Sequence, residues 1–110
     1  MDINNALDAF AALSQATRLD VFRLLIKAGE AGMTAGDISD TLGVRQNTMS
    51  TNLGILARTG LIRSEREGRS IRYFADMDGM RGLLAFLMED CCGGRPELCQ
   101  PVINELVCAC

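Results

Sequence analysis

The feature that most constrains the fold is the stretch from residue 34 to residue 60, in which two helical patterns flank one glycine. Thr34 and Asp37 lie three residues apart, the spacing of a capping box, and the apolar positions that follow stop at Gly43. After this glycine, apolar residues recur at i, i+4 and i+7 until Gly60: Met49, Leu53 and Leu56. The stretch therefore predicts a short helix, a tight turn and a second helix with a polar face, a helix-turn-helix motif.

Apolar stripes on both sides of this motif predict further helices. Two amphipathic helices precede it, and their stripes are Ile3, Leu7, Phe10 and Leu13, then Leu19, Phe22, Leu25 and Ile26 up to a stop at Gly29. After the motif, we expect Asp78 to cap a helix that stops near Gly93 and Gly94 and carries Met80, Leu83, Leu84 and Leu87. We expect Pro101 to be the first residue of a last short helix.

A basic hairpin is predicted between the motif and the later helices. Residues 61–66 and 70–75 form two short strand patterns around Gly68, which can supply the positive φ of a tight turn. Residues 45–72 hold six arginines and two glutamates, a net charge of +4, whereas the rest of the chain carries −7. Four of these arginines fall on the hairpin, so the sequence places a basic wing beside the polar helix.

Length and composition limit the chain to one small globular unit. A chain of 110 residues, 48% of them hydrophobic, has enough apolar surface for one core. We predict a mostly α fold with a small β-hairpin, a dimeric winged helix-turn-helix, with residues 1–92 as the DNA-binding and dimerisation domain and 93–110 as a cysteine-containing tail. The longest apolar run is the six residues 83–88, and the start lacks the pattern of a signal peptide, so we expect a cytoplasmic protein without membrane contact.

The histidine and cysteine content excludes most enzyme chemistry. The chain has no histidine, which removes the commonest general base and the usual zinc ligand. Five cysteines are too few for a disulfide scaffold, and in a reducing compartment we expect them as free thiols. They are therefore candidate ligands or sensors.

Three separate blocks of the sequence resemble the ArsR/SmtB metalloregulatory repressors, over roughly residues 7–88. The blocks are residues 12–19 (ALSQATRL), 42–50 (LGVRQNTMS) and 60–62 (GLI). The resemblance implies a winged helix-turn-helix that binds operator DNA as a homodimer. Two positions depart from the family pattern, because Arg45 stands where a serine cap is frequent and Thr51-Asn52 replaces a frequent Arg-His pair. These departures concern the operator sequence and leave DNA binding as the expected activity.

The predicted DNA contacts combine polar groups on the second helix of the motif with charge on the wing. A helix fits the major groove, where amide and hydroxyl groups contact base edges or phosphates, and arginines on a hairpin suit phosphates or the minor groove. The predicted DNA-binding residues are Arg45, Gln46, Asn47, Thr48, Ser50, Thr51, Asn52, Arg66, Arg69 and Arg72.

A single recognition helix contacts little DNA, so we expect a homodimer with two such helices about 34 to 36 Å apart on an imperfect palindrome. The first helix and the helix after the wing carry apolar stripes beyond what a small core can absorb. In the resembling family these elements pair across the two-fold axis. The alternative is that Ile3, Leu7, Phe10, Leu84 and Leu87 fill the core of a monomer.

A cysteine cluster after the wing suggests the effector. Cys91, Cys92 and Cys99 lie within nine residues, and thiolate-only ligation selects soft ions, among which trivalent arsenic or antimony suits three sulfurs. Adjacent helical residues point about 100° apart, so binding would open the helix at Gly93 and Gly94. The chain resembles arsenic-responsive members with a vicinal cysteine pair and a third cysteine. This resemblance assigns Cys91, Cys92 and Cys99 as As(III) ligands; zinc would need a fourth ligand, which Cys108 or Cys110 could supply.

Two alternatives to an arsenite-responsive repressor use the same cysteines. A redox- or persulfide-sensing repressor would join Cys91 or Cys92 to Cys99 in a disulfide, although only Arg95 is near in sequence to lower a thiol pKa. A thiol-dependent arsenate reductase would need an arginine six residues after its cysteine, and Glu97, Leu98 and Glu105 stand at those positions instead. We therefore expect a regulator without enzymatic activity and without a catalytic cofactor.

Overall fold

A computed structural model describes residues 2–89 and 96–106 of the chain. Six helices and three strands follow in the order α1 (Ile3–Leu13), α2 (Ala16–Ala28), β1 (Met33–Thr34), α3 (Ala35–Leu42), α4 (Gln46–Arg58), β2 (Ile62–Glu67), β3 (Ser70–Ala75), α5 (Met77–Leu87) and α6 (Pro96–Glu105). A single 3₁₀ turn over Gly29–Ala31 follows α2. The predicted order of helices around a β-wing is confirmed.

The helix-turn-helix motif forms with the predicted boundary residues. The Thr34 hydroxyl accepts a hydrogen bond from the Asp37 amide at 3.2 Å and so caps α3. Gly43 then adopts φ +66°, a left-handed conformation that glycine enters without strain, and the chain turns into α4. These two local signals place α3 and α4 in the arrangement that the sequence predicts.

Three later boundaries differ from the sequence prediction. Helix α5 ends at Leu87, with Met88 as its C-cap residue, and not near Gly93 and Gly94. Asp76, not Asp78, caps α5, since its carboxylate accepts hydrogen bonds from the amides of Asp78 and Gly79. Helix α6 begins at Pro96, so the prediction that Pro101 is its first residue is wrong. Inside the helix, Pro101 has no N–H to donate to the carbonyl of Glu97.

The wing is a three-stranded antiparallel sheet in the order β1-β3-β2. Strands β2 and β3 pair from Ile62 opposite Ala75 to Glu67 opposite Ser70, around a turn in which Gly68 has φ +59°. The predicted hairpin is therefore confirmed, and β1 adds a short third strand. Gly32 precedes β1 at φ +62°, and a Cβ there would lie 2.6 Å from the Tyr73 carbonyl oxygen. Only glycine allows β1 to approach β3 this closely.

One core joins α1–α5 and the base of the wing. Its largest fully buried side chains are Leu25, Ile38, Met49, Leu53, Leu56, Leu61 and Val21. The buried residues of helix α1 are all small, namely Ala6, Ala9 and Ala12, and Leu13 at its end packs against the core while partly exposed. Within the two described segments, no helix has the length and apolar character needed to cross a bilayer.

Candidate DNA interface and C-terminal sensor

Helix α4 has an apolar face in the core and a polar face in solvent. Met49, Leu53 and Leu56 are buried and fix the helix to the domain. The predicted DNA-contacting residues on the opposite side are all exposed: Gln46, Asn47, Thr48, Ser50 and Thr51. Arg45 precedes the helix as its N-cap residue, exposed and without a side-chain capping bond. The structure thus presents amide, hydroxyl and guanidinium groups along one accessible helix face.

Asn52 differs from the other predicted contacts on α4. Its side chain is 7% exposed, and its amide oxygen accepts a hydrogen bond from Arg18 Nη1 at 3.2 Å. The helical spacing of the apolar residues indicates this burial, because Asn52 lies three residues after Met49 and four before Leu56. Asn52 therefore belongs to the inner face of α4 and not to its exposed polar face.

The wing arginines divide into two groups. Arg63 and Arg72 form ion pairs at 2.8 Å with Glu65 and Glu67, and Arg72 also donates to the Ala31 carbonyl oxygen at 3.2 Å. Arg66 and Arg69, at and next to the turn, are exposed and have no ion-pair partner within residues 2–89 and 96–106. Of the three predicted wing contacts, Arg72 therefore holds the wing to the body, whereas the other two present their charge to solvent.

An apolar surface lies on α1 and α5. Ile3, Leu7 and Phe10 on α1 and Leu84 and Leu87 on α5 are exposed, as the dimer prediction requires and the monomer alternative does not. Helix α6 extends this surface: its apolar side chains and those of α5 line one groove of about 610 Å³. The α6 residues in the groove are Val102, Ile103 and Leu106.

Of the predicted sensor residues, only Cys99 lies in the described part of the chain. Cys99 is on α6 and is 6% exposed. It is disulfide-bonded in the structure, in contrast to the expected free thiol. Cys91 and Cys92, together with Cys108 and Cys110, also lie outside them, so the three-thiolate site stays a prediction.

Comparisons of sequence agree with this architecture. A family described as a helix-turn-helix domain matches residues 13–65. The chain is similar to the uncharacterized HTH-type transcriptional regulator YbzH of Bacillus subtilis, with 32% identity over 93 residues that cover 74% of this chain and 93% of YbzH. It is also similar to the transcriptional repressor SdpR of the same organism, with 36% identity over 66 residues that cover 60% of this chain and 70% of SdpR.

Solved structures show the same fold. An ArsR-like transcriptional regulator from Rhodococcus matches with a TM-score of 0.70 and 25% identity, covering 97% of this chain and 96% of the regulator. A homodimeric winged helix-turn-helix DNA-binding domain from Mycobacterium bovis matches with a TM-score of 0.65 and 24% identity, covering 80% of this chain and 82% of that domain. With its exposed polar helix, basic wing and these relatives, the chain belongs to the ArsR family of winged helix-turn-helix transcriptional regulators, which are DNA-binding proteins and not enzymes.

Proposed function

We propose that this regulator is a cytoplasmic, homodimeric repressor that leaves its operator when As(III) binds the thiolates of Cys91, Cys92 and Cys99. Antimonite offers the same ligand chemistry. Three protein thiols displace the three hydroxides of arsenous acid, with release of three waters, and no oxidation or reduction takes place. The observation that carries the proposal is the position of Cys99, buried on a helix that shares an apolar groove with α5.

The DNA-binding step uses two surfaces of each subunit. The exposed face of α4 enters the major groove, while Arg66 and Arg69 on the wing contact phosphates or the adjacent minor groove. Arg45 lies at the start of α4 and supplies a further phosphate contact. Asn52 is left out of this contact set because it is buried, and Arg72 acts by fixing the wing.

The homodimer supplies the second recognition helix. Burial of an apolar side chain such as Leu7 or Leu87 against a second copy stabilises the pair by roughly 1.5–3 kcal/mol per side chain. The symmetric pairing of two copies places each apolar patch against its own counterpart, as closed two-fold dimers require. The homodimeric relative from Mycobacterium bovis supports this assignment.

The sensor step acts through the dimer surface. Cys99 lies on α6, and Val102, Ile103 and Leu106 of α6 line one groove together with apolar side chains of α5. When one ion gathers Cys91, Cys92 and Cys99, the chain between α5 and α6 must rearrange. A shift of α6 on α5 changes the dimer surface and hence the spacing of the two recognition helices, which lowers operator affinity by the coupling free energy.

A thiol-redox sensor is the second candidate, and the disulfide at Cys99 favours it. In that mechanism a peroxide removes two electrons from two thiols, one sulfur–sulfur bond forms, and two waters leave. The disulfide would then pull the chain end toward α6 without any metal. Both candidates use the same cysteines. In the first, the repressor leaves DNA when As(III) binds reduced thiols; in the second, it leaves DNA when two thiols are oxidised to a disulfide.

One titration separates the two candidates. The fully reduced protein is bound to an operator duplex selected from a random pool, and DNA release is followed by fluorescence anisotropy. Arsenite is expected to release the DNA under reductant, and Cys91→Ser, Cys92→Ser and Cys99→Ser are expected to bind DNA normally but to resist arsenite. The double variant C108S/C110S keeps all three proposed ligands and is the matched control, which should respond like the natural chain.

Each unexpected outcome of the titration has a defined meaning. Release by peroxide, with no effect of arsenite, would reject the arsenic assignment in favour of the redox sensor. Loss of the arsenite response in C108S/C110S would reject the three-cysteine ligand set. X-ray absorption on the arsenite-loaded protein should show three sulfur neighbours and no oxygen.

A further inference from the structure

Arg18 forms a polar bracket between the end of α1 and the interior face of α4. Its Nε donates a hydrogen bond to the Ala12 carbonyl oxygen at 2.7 Å, and its Nη1 donates to Asn52 Oδ1 at 3.2 Å. Arg18 itself lies in the first turn of α2. One half-buried guanidinium therefore connects three helices, of which α4 carries the DNA-contacting face and α1 the exposed apolar stripe.

Burial of the Asn52 side-chain amide destabilises the fold unless a hydrogen-bond partner compensates for it. Asn52 lies within the apolar stripe of α4, where a leucine would pack without any polar group to desolvate. A buried amide without a partner is unfavourable, whereas a hydrogen bond from a charged donor compensates for its burial. An asparagine at this position is thus explained by the contact to Arg18 and not by packing.

The Ala12 end uses an unpaired helix terminus. Ala12 lies in the last turn of α1, where carbonyl groups have no partner within the helix. A guanidinium is the favoured partner there, because the carboxyl end of a helix carries partial negative charge. The bracket therefore joins α1 at its backbone, so any displacement of the end of α1 also displaces Arg18.

Helices α1 and α4 share the core, but an open cleft of about 400 Å³ lies beside their contact. Asn5 and Asp8 line the cleft from α1, Ile55 and Arg58 line it from α4, and Arg18 borders it. On this open side, the directional hydrogen bonds of the bracket join the two helices.

We propose that Arg18 is a positioning residue for DNA recognition: through Asn52 it fixes the rotation of α4, and through the Ala12 carbonyl it couples that rotation to α1. Asn52 is the neighbour of Thr51 on the same helix, so a rotation that moves one side chain moves the other by the same angle. Arg18 does not touch the DNA in this assignment. The inference rests on DNA contact by α4 and is independent of the effector and its cysteines.

The test is a set of four proteins: the natural chain, Arg18→Met, Asn52→Leu and the double variant R18M/N52L. Arg18→Met leaves the buried Asn52 amide without its donor, and Asn52→Leu leaves the half-buried Arg18 Nη1 without its acceptor, so each single variant should unfold at lower urea concentration. The double variant replaces both polar groups by apolar ones, a change that is often nearly neutral for stability. We expect it to regain the urea midpoint of the natural chain, while its operator affinity stays at least about tenfold lower, since the rotation of α4 is no longer fixed.

Two readouts separate positioning from a purely structural or a phosphate-binding role. If the double variant binds the operator within about twofold of the natural chain, the bracket only stabilises the fold and the proposal fails. If Arg18 neutralised a phosphate, each variant lacking it would show a shallower dependence of affinity on salt. The proposal requires an unchanged salt slope with a reduced preference for operator over random DNA.

Two further variants keep the test decisive. Arg23→Met removes an exposed arginine from the same helix and is the matched control, for which operator preference should not change. If the double variant does not fold, Arg18→Lys decides the question, because it retains the charge but lacks the planar set of donors that reaches both acceptors. Normal operator preference in Arg18→Lys would overturn the proposal. A normal operator affinity in the double variant Asn47→Ala/Ser50→Ala would instead reject the proposed DNA contact by α4, on which the inference rests.

Discussion

Helices α1 and α4 distribute their side chains in opposite ways. In α4 the large apolar residues face the core and the polar residues face solvent. In α1 the fully buried positions are alanines, while Ile3 and Leu7 are 60% and 58% exposed. An exposed polar face suits hydrated DNA, whereas a helix that places its largest apolar groups in solvent is built for contact with protein. In the proposed function, α4 therefore contacts DNA and α1 contacts the second subunit.

The largest effect is expected from a charge on the exposed face of α1. Leu7→Lys should split the dimer, because each copy would have to bury an unpaired ammonium. Loss of the second half-site contact should weaken operator binding by about 10²- to 10⁴-fold. Analytical ultracentrifugation gives the oligomeric state and anisotropy the affinity.

The control for this variant is Leu19→Lys, which places the same charge on an exposed leucine of α2, outside the proposed dimer surface. Its sedimentation should match that of the natural chain. A dimer that persists in Leu7→Lys would contradict the assignment of the dimer contact to α1.

The fold follows from local signals that act within a few residues. Thr34, Gly43 and Gly68 predict a helix cap, a turn and a hairpin, because each conformation depends on the residue itself. The sequence predicts Asp78 as the cap of α5, but Asp76 offers the same carboxylate two positions earlier, and the backbone path from β3 decides between them. Strand β1 is only two residues long and depends on pairing with distant Tyr73, so no local pattern indicates it.

The site was predictable to the extent that periodicity assigns faces. Gln46 to Thr51 are exposed apart from Met49, as the helical pattern predicts. The amide group makes Asn52 a predicted DNA contact, although its spacing fits the buried face of α4. The partner that makes its burial favourable, Arg18, lies 34 residues away. Long-range compensation of a buried polar group cannot be obtained from the local pattern.

Substitutions on the polar face of α4 should have the second largest effect on operator affinity. Asn47→Ala and Ser50→Ala remove exposed groups without disturbing the core, so the free energy of unfolding should change by no more than about 0.5 kcal/mol. Each lost base contact is worth about 1–3 kcal/mol, and the dimer loses it twice, so operator affinity should fall by about tenfold or more. Binding to random DNA should change little.

The matched control for the α4 variants is Ser14→Ala, an exposed serine at the end of α1. If Ser14→Ala lowers operator affinity as much as Ser50→Ala, the polar face of α4 is not the recognition surface. Affinities for operator and random duplexes, measured at one salt concentration, decide the matter.

The smallest effect is expected from the tip of the wing, where contacts to phosphate carry no sequence information. Arg66→Gln and Arg69→Gln should each weaken binding to operator and random DNA alike by a few-fold, and the slope of log affinity against log salt should fall by about 0.9 per lost phosphate contact. Arg81→Gln on α5 removes an equal charge away from the wing, from a surface pair with Asp78, and should leave the slope unchanged.

Because Arg66 and Arg69 have no ion pair within the described residues, their loss should not destabilise the wing, whereas Arg72→Gln breaks its bonds to Glu67 and to the Ala31 carbonyl. A lower melting temperature for Arg72→Gln alone would therefore separate the arginine that holds the wing from the two that are proposed to contact DNA.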